Sequence, residues 1–222
     1  MASSSSRHAK AVVEVLRGRY GQTFAAEAGI KLADQPGPLY QLLVLSTLLS
    51  ARISAQIAVA AARELFAAGY RTPQAMRDAS WQDRVDALGR GHYRRYDERT
   101  ATMLGRGAEL LIDRWGGDLE KLRSEAEGDV RRIGELLTEF PGIGPAGAGI
   151  FLREVQAVWP EVVPYLDRKV LDGARKVGLP PSAQELAELA GSGTELAGLA
   201  AALIRVSRGS RAAEEVVAAA AG

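Results

Sequence analysis

Apolar positions along this chain recur at helical spacing, in short runs separated by Gly, Pro, Ser and Asp. Nowhere do they hold the two-residue alternation of a strand. The predicted fold class is all-α. Residues 1–7 read as a disordered polar tail, with Ser6 or a neighbour capping a first helix over about 8–19, where Val12, Val13, Val15 and Leu16 share a side. Residues 20–37 read as irregular, and Pro38 suits the first turn of a helix. From Leu39 to Ser50 the chain is almost wholly apolar, yet too short to span a bilayer, which predicts a buried central helix. Ser50-Ala51-Arg52-Ile53-Ser54 interrupts it. A further helix over about 54–68 carries Ile57, Ala61, Leu65 and Phe66, and Gly69 closes it.

Thr72-Pro73 opens a short helix to about Asp78, and Ser80 caps another from Trp81 to Leu88. Gly89 to Tyr96 reads as a loop and is followed by a long helix to about Trp115. Gly116-Gly117-Asp118 ends that helix and starts the next, and a helix from about Asp129 leads to a Gly/Pro turn at Pro141-Gly142-Ile143-Gly144-Pro145. Beyond Asp167, helices are predicted near 168–177, 182–190, 194–206 and 211–220. There is no internal repeat of solenoid period.

Composition narrows the chemistry. With 222 residues the chain can bury a sizeable core. The net charge of +1 means that any binding of nucleic acid must come from local basic clusters. Of the 28 basic residues only five are lysines, which fits either base composition of the genome or use of arginine on phosphates. Cysteine is absent, which excludes disulfides, cysteine-ligated zinc and an iron–sulfur cluster, and His8 and His92 are too few for a histidine-rich metal site. No signal peptide or membrane span is legible, so the expected location is the cytoplasm.

The stretch from Leu136 to Leu171 holds the most specific signal. Gly142 and Gly144 permit tight turning and close backbone approach. The helix that follows opens with amide N–H groups that lack intrahelical partners, a place where a phosphate can bind. Asp167 then follows a Pro-Tyr-Leu turn and precedes a new apolar helix.

Three places in order resemble the helix-hairpin-helix DNA glycosylase superfamily, nearest its endonuclease III branch. Leu48-Leu49-Ser50-Ala51-Arg52 resembles the family's LLSAQ turn, Phe140-Pro141-Gly142-Ile143-Gly144 its LPGVG hairpin, and Tyr165-Leu166-Asp167 the site of its catalytic aspartate. The resemblance covers roughly residues 39–180. It implies a two-lobed helical fold with the active-site cleft between lobes. One lobe would be 1–38 plus 141–222 and the other 39–140, with the helix-hairpin-helix at about 130–156. It also implies a monovalent cation, Na⁺ or K⁺, held by hairpin carbonyls, and no other metal or cofactor.

Two departures bear on the chemistry. Where bifunctional members carry the lysine that forms a Schiff base, this chain has Ala146, so strand cleavage by that route is not expected. Lys169 is the nearest amine in sequence to Asp167, but an i, i+2 pair does not share a helix face. The four-cysteine cluster of the closest relatives is missing as well.

Each candidate residue carries a bland alternative. Asp167 can stabilise oxocarbenium character and orient water, or simply cap the helix that starts at Arg168. Gly142, Ile143, Gly144, Ala146 and Gly147 would bring backbone to phosphate, or form a plain helix–helix turn. Arg52 stands where the family's gap-filling glutamine does, or is a solvated arginine. His92 and Tyr93, in a loop with Arg94, Arg95 and Tyr96, offer a wedge and phosphate clamp, or an ordinary exposed loop. Tyr165 lines a base pocket or belongs to the core. Trp81, Trp115 and Trp159 read as core, and Asp172 and Glu139 as solvated carboxylates.

The expected activity is that of a monofunctional DNA N-glycosylase acting as a monomer on duplex DNA with a damaged or mispaired base, in base-excision repair. The alternative is a DNA-structure binder that keeps the hairpin without turnover.

Overall fold

The computed structural model describes the backbone over residues 2–221 and side chains from Ser6 onward. Every regular element among these residues is helical. In chain order they are α1 (Ala2–Tyr20), α2 (Phe24–Glu27), α3 (Pro36–Ser50), α4 (Ala55–Ala67), α5 (Pro73–Asp78), α6 (Trp81–Arg90) and α7 (Asp97–Trp115). They continue with α8 (Leu119–Glu125), α9 (Val130–Leu137), α10 (Pro145–Val155), a 3₁₀ turn (Pro160–Val162), α11 (Arg168–Lys176), α12 (Ala183–Ala190), α13 (Gly193–Ser207) and α14 (Ser210–Ala220). Among the described residues no single helix is long and apolar enough to cross a membrane.

Most helix starts have a local cause. The side chains of Ser54, Thr72, Ser80, Asp118, Asp129, Asp167, Ser182 and Ser192 each accept a backbone N–H from the first turn that follows. Each such cap is worth about 1 kcal/mol. The first helix departs from expectation, since α1 begins at Ala2 and takes in the serine-rich stretch read as a tail. Serine is only mildly unfavourable in a helix, and adding turns to a helix already nucleated costs little.

The chain divides into two compact units, residues 25–152 and residues 1–24 with 153–222. The expected division after 38 and after 140 therefore shifts, and the hairpin belongs to the central unit. The reason is packing. The Trp115 and Phe140 rings stack at 5.6 Å, Ile143 is buried, and Gly142 lies against Met103 and Thr47.

Within the central unit α3 is the buried core helix, packed by α4, α7 and α8. Arg84, itself buried, satisfies the carbonyls of Met76, Ala79 and Ala101 at 2.7–2.9 Å and so ties the end of α5 to α7. In the terminal unit α13 is the buried axis, packed by α1, α11, α12 and α14. Gly173 on α11 allows close approach there, because a Cβ would overlap the Leu203 carbonyl. Arg205 closes the unit by donating to the Tyr20 carbonyl at 2.9 Å and lying 4.5 Å over the Phe24 ring.

Candidate nucleic-acid interface and the Asp167 site

In the central unit the hairpin is built by local geometry. After α9 the chain tightens: Glu139 N–H donates to the Leu136 carbonyl at 3.2 Å and Phe140 N–H to that of Leu137 at 3.3 Å. Gly142 then takes φ +88°, a left-handed conformation that L side chains rarely adopt. Ile143 N–H turns back to the Phe140 carbonyl at 3.0 Å, and Pro145 opens α10. Glu139, expected to be solvated, pairs with Arg114. Arg114 also binds Glu125 at 2.7 Å and covers the Trp115 ring at 4.4 Å. The Trp115 indole N–H donates to Glu125 at 2.7 Å, and that bond with the Arg114 contact holds the Glu125 carboxyl below its usual range.

The predicted hairpin contacts separate into two kinds. Gly142, Gly144 and Ala146 are exposed, and their backbone is open to a phosphate. Ile143 is not such a contact, because its side chain is buried and its N–H is used within the turn. Gly147 is a correction too. It is buried against the Ser50 hydroxyl, where any Cβ would collide, so its smallness serves packing.

The 91–96 loop brings a further correction. Tyr93 is fully buried, with its hydroxyl accepting from Thr100 at 3.3 Å, and burial raises the phenol above its ordinary range. It cannot serve as a wedge. His92 is exposed at φ +63°, a strained choice for a non-glycine residue, and is the member of the pair that reaches solvent. Trp115 and Trp159 are core, but Trp81 is 41% exposed, its indole donating to Thr102 at 3.1 Å.

Three stretches far apart in sequence line one open cavity of about 380 Å³ in this unit. Ser50 and Arg52 come from the end of α3 and the turn after it, Tyr96, Arg99 and Met103 from the start of α7, and Gly142 from the hairpin. Arg52 and Arg99 are exposed, and no carboxylate is among the lining residues. Sequence reasoning missed Arg99 and Met103. They sit on the exposed-looking first turns of a long helix, where nothing in the spacing marks a cavity.

In the terminal unit, Asp167 is the N-cap of α11 and accepts from Val170 N–H at 3.1 Å through Oδ1. Its Oδ2 accepts from Nη1 of Arg153, which is 4% exposed in the last turn of α10. Buried Gln156 clamps the same loop: its amide accepts from Tyr165 N–H at 3.0 Å and donates to the Tyr165 carbonyl at 3.0 Å. Tyr165 is half-buried. Its phenol is raised by burial and then by the Asp167 charge, with Arg153 opposing. Lys169 is exposed, and Asp172 pairs with Arg175 at 2.5 Å on the surface. Arg153 and Gln156 were legible only as polar residues at the end of an otherwise apolar helix.

No family model matches the chain, and no curated protein matches it. What it can do is therefore read from its own residues.

Among the described residues no group of three or more His, Asp or Glu side chains is placed to hold a metal. The hairpin offers main-chain oxygens instead, a hard donor type. The carbonyls of Phe140 and Gly144 each accept one N–H, from Ile143 and Ala148, and each retains a second lone pair.

Proposed function

We propose that this chain is a monofunctional DNA glycosylase that hydrolyses the N-glycosidic bond of a damaged or mispaired base in duplex DNA. The observation that carries the reading is the cavity where the turn after α3, the start of α7 and the hairpin meet, cationic and free of carboxylates. Two of these segments, the turn after α3 and the hairpin, are among the three that resemble the glycosylase superfamily, and a cationic concave surface beside exposed backbone amides suits a DNA backbone.

In this reading Gly142, Gly144 and Ala146 present backbone to phosphate, and main-chain oxygens of the hairpin hold a monovalent cation that adds positive charge there. His92 is the wedge, and Arg52 occupies the gap left by the extruded base. Asp167 faces developing positive charge on the sugar as a fixed carboxylate. Ala146 supplies no amine, so the product is an abasic site rather than a strand break.

A second reading, a DNA-structure binder without turnover, is favoured by one observation: both Asp167 oxygens already have partners, Arg153 and Val170. Base release from duplexes each carrying one lesion, for the wild type and Asp167→Asn, separates the two. Release revealed only after alkali, and lost in Asp167→Asn, supports the glycosylase. Tight lesion binding with no release from any duplex supports the binder.

A further inference from the structure

The end of α10 and the residue after it carry three buried polar side chains, Arg153, Glu154 and Gln156, at 4%, 1% and 1% exposure. Two of them satisfy backbone groups. Glu154 accepts from Phe24 N–H at 3.3 Å, and the Gln156 amide bonds both the N–H and the carbonyl of Tyr165. Arg153 is different. Its side chain has one hydrogen-bond partner among the described residues, Oδ2 of Asp167, and its Nε is buried with none. A buried N–H left unpaired is costly, and apolar residues in place of a buried ion pair often serve the fold as well or better. The pair as a whole is thus a poor source of stability, even though losing one member of it is costly.

What the pair supplies is direction. Val170 N–H holds Oδ1 of Asp167 at 3.1 Å, but a single bond leaves the carboxylate plane loosely set, because the terminal torsion of aspartate is broad. A second hold on Oδ2, from a guanidinium that is itself enclosed, sets that plane. We infer that Arg153 is a positioning residue for Asp167 in the proposed hydrolysis. It acts through the carboxylate, which has to meet the sugar at a fixed distance and angle. The counter-charge also weakens the field that Asp167 presents to the sugar, so accurate placement has to make up the difference. This role rests on the glycosylase reading and names the residue that makes its carboxylate effective.

Lysine separates placement from charge. Arg153→Lys keeps the positive charge but replaces a rigid planar fork with a flexible point charge. Single-turnover base release at saturating enzyme is measured on duplexes carrying uracil, 8-oxoguanine or 7-methylguanine, with products read after alkali. The wild type, Arg153→Lys and Arg153→Gln are compared with Glu195→Gln, which loosens the α1–α13 link of the same unit and controls for stability. Anisotropy gives the affinity of each variant for the duplex that the wild type processes, and thermal melting gives its stability. Arg153→Gln is read in the same way as Arg153→Lys, so the outcome does not hang on one variant folding.

The expected result is a loss of rate of about a hundredfold in Arg153→Lys, the scale for misplacing a reacting group by about 1 Å, with affinity unchanged. Glu195→Gln should keep the wild-type rate. A wild-type rate in Arg153→Lys overturns the positioning role, as does a loss that weaker DNA binding or a matching loss in Glu195→Gln accounts for. In those cases base release by the wild type leaves the glycosylase reading standing. No release by the wild type from any of the duplexes removes that reading, and this role with it.

Discussion

Arg153, 4% exposed, holds one carboxylate oxygen of the half-buried Asp167, while Val170 N–H holds the other. Asp167 is therefore both the N-cap of α11 and the counter-charge of Arg153. The cap and the guanidinium together fix the rotamer. Asp167→Asn keeps a good cap but leaves a buried guanidinium without its counter-charge, which costs about 3 kcal/mol. Arg153→Ala is expected to cost a similar amount, and Arg153→Lys less. Urea unfolding of the three variants checks this, and losses below about 1 kcal/mol in all of them would place the pair among weak surface bridges.

Ala146 is exposed on the first turn of α10, and in the proposed reading it stands where lyase chemistry would need an amine. If the proposed activity holds, Ala146→Lys introduces a nucleophile that the wild type lacks. Borohydride is then expected to trap a covalent complex with lesion DNA in Ala146→Lys only. Trapping in the wild type would point to Lys169.

His92 and Tyr93 differ in burial, so their variants should differ in kind. Tyr93→Phe loses the bond from Thr100 and is expected to cost about 1 kcal/mol of stability without changing DNA affinity. His92→Ala should leave stability within about 0.5 kcal/mol and weaken binding to lesion DNA. Melting curves and anisotropy on the same preparations read both effects, and a stability loss confined to His92→Ala would reverse the assignment.

The two hairpin glycines also separate structure from contact. Gly142 has φ +88° and a Cβ there would come within 3.0 Å of Met103, so Gly142→Ala is expected to destabilise by about 1–2 kcal/mol. Gly144 has open space around it, so Gly144→Ala should be stable. A loss of DNA affinity in Gly144→Ala would then report steric exclusion of phosphate from the backbone, and unchanged affinity would remove Gly144 from the interface.

Glu195 links α13 to α1 through Arg17 at 2.7 Å, and this bond, with the Ser192 hydroxyl, lowers the folded-state carboxyl below its ordinary value. A lowered carboxyl stabilises the fold above the unfolded value, near 4.3, and that contribution is lost as pH falls through the folded-state value. The melting temperature of the wild type should exceed that of Glu195→Gln at neutral pH, with the gap closing below about pH 4. Because the pair is exposed, added salt should narrow the gap at neutral pH as well.

Helix order and helix starts were legible because their causes are local. Ser80 and Asp129 begin helices through bonds to N–H groups two or three residues ahead, and the apolar run in α3 announced its own burial. The start of α1 was not legible, since a polar serine run has no preference strong enough to show that it extends a helix already formed.

By itself, the sequence determined an all-helical chain, the Gly/Pro turn and the capping position of Asp167, all set by neighbouring residues. Only the tertiary structure decided that Tyr93 is core while His92 is exposed, that Arg153 is the partner of Asp167, and that the hairpin packs within the central unit. It also decided that Arg52, Arg99 and Gly142 share a cavity. Spacing tells which side chains share a face of one helix, but not what that face meets. Burial and pairing depend on segments brought together from distant parts of the chain, and close packing admits only certain neighbours at each place.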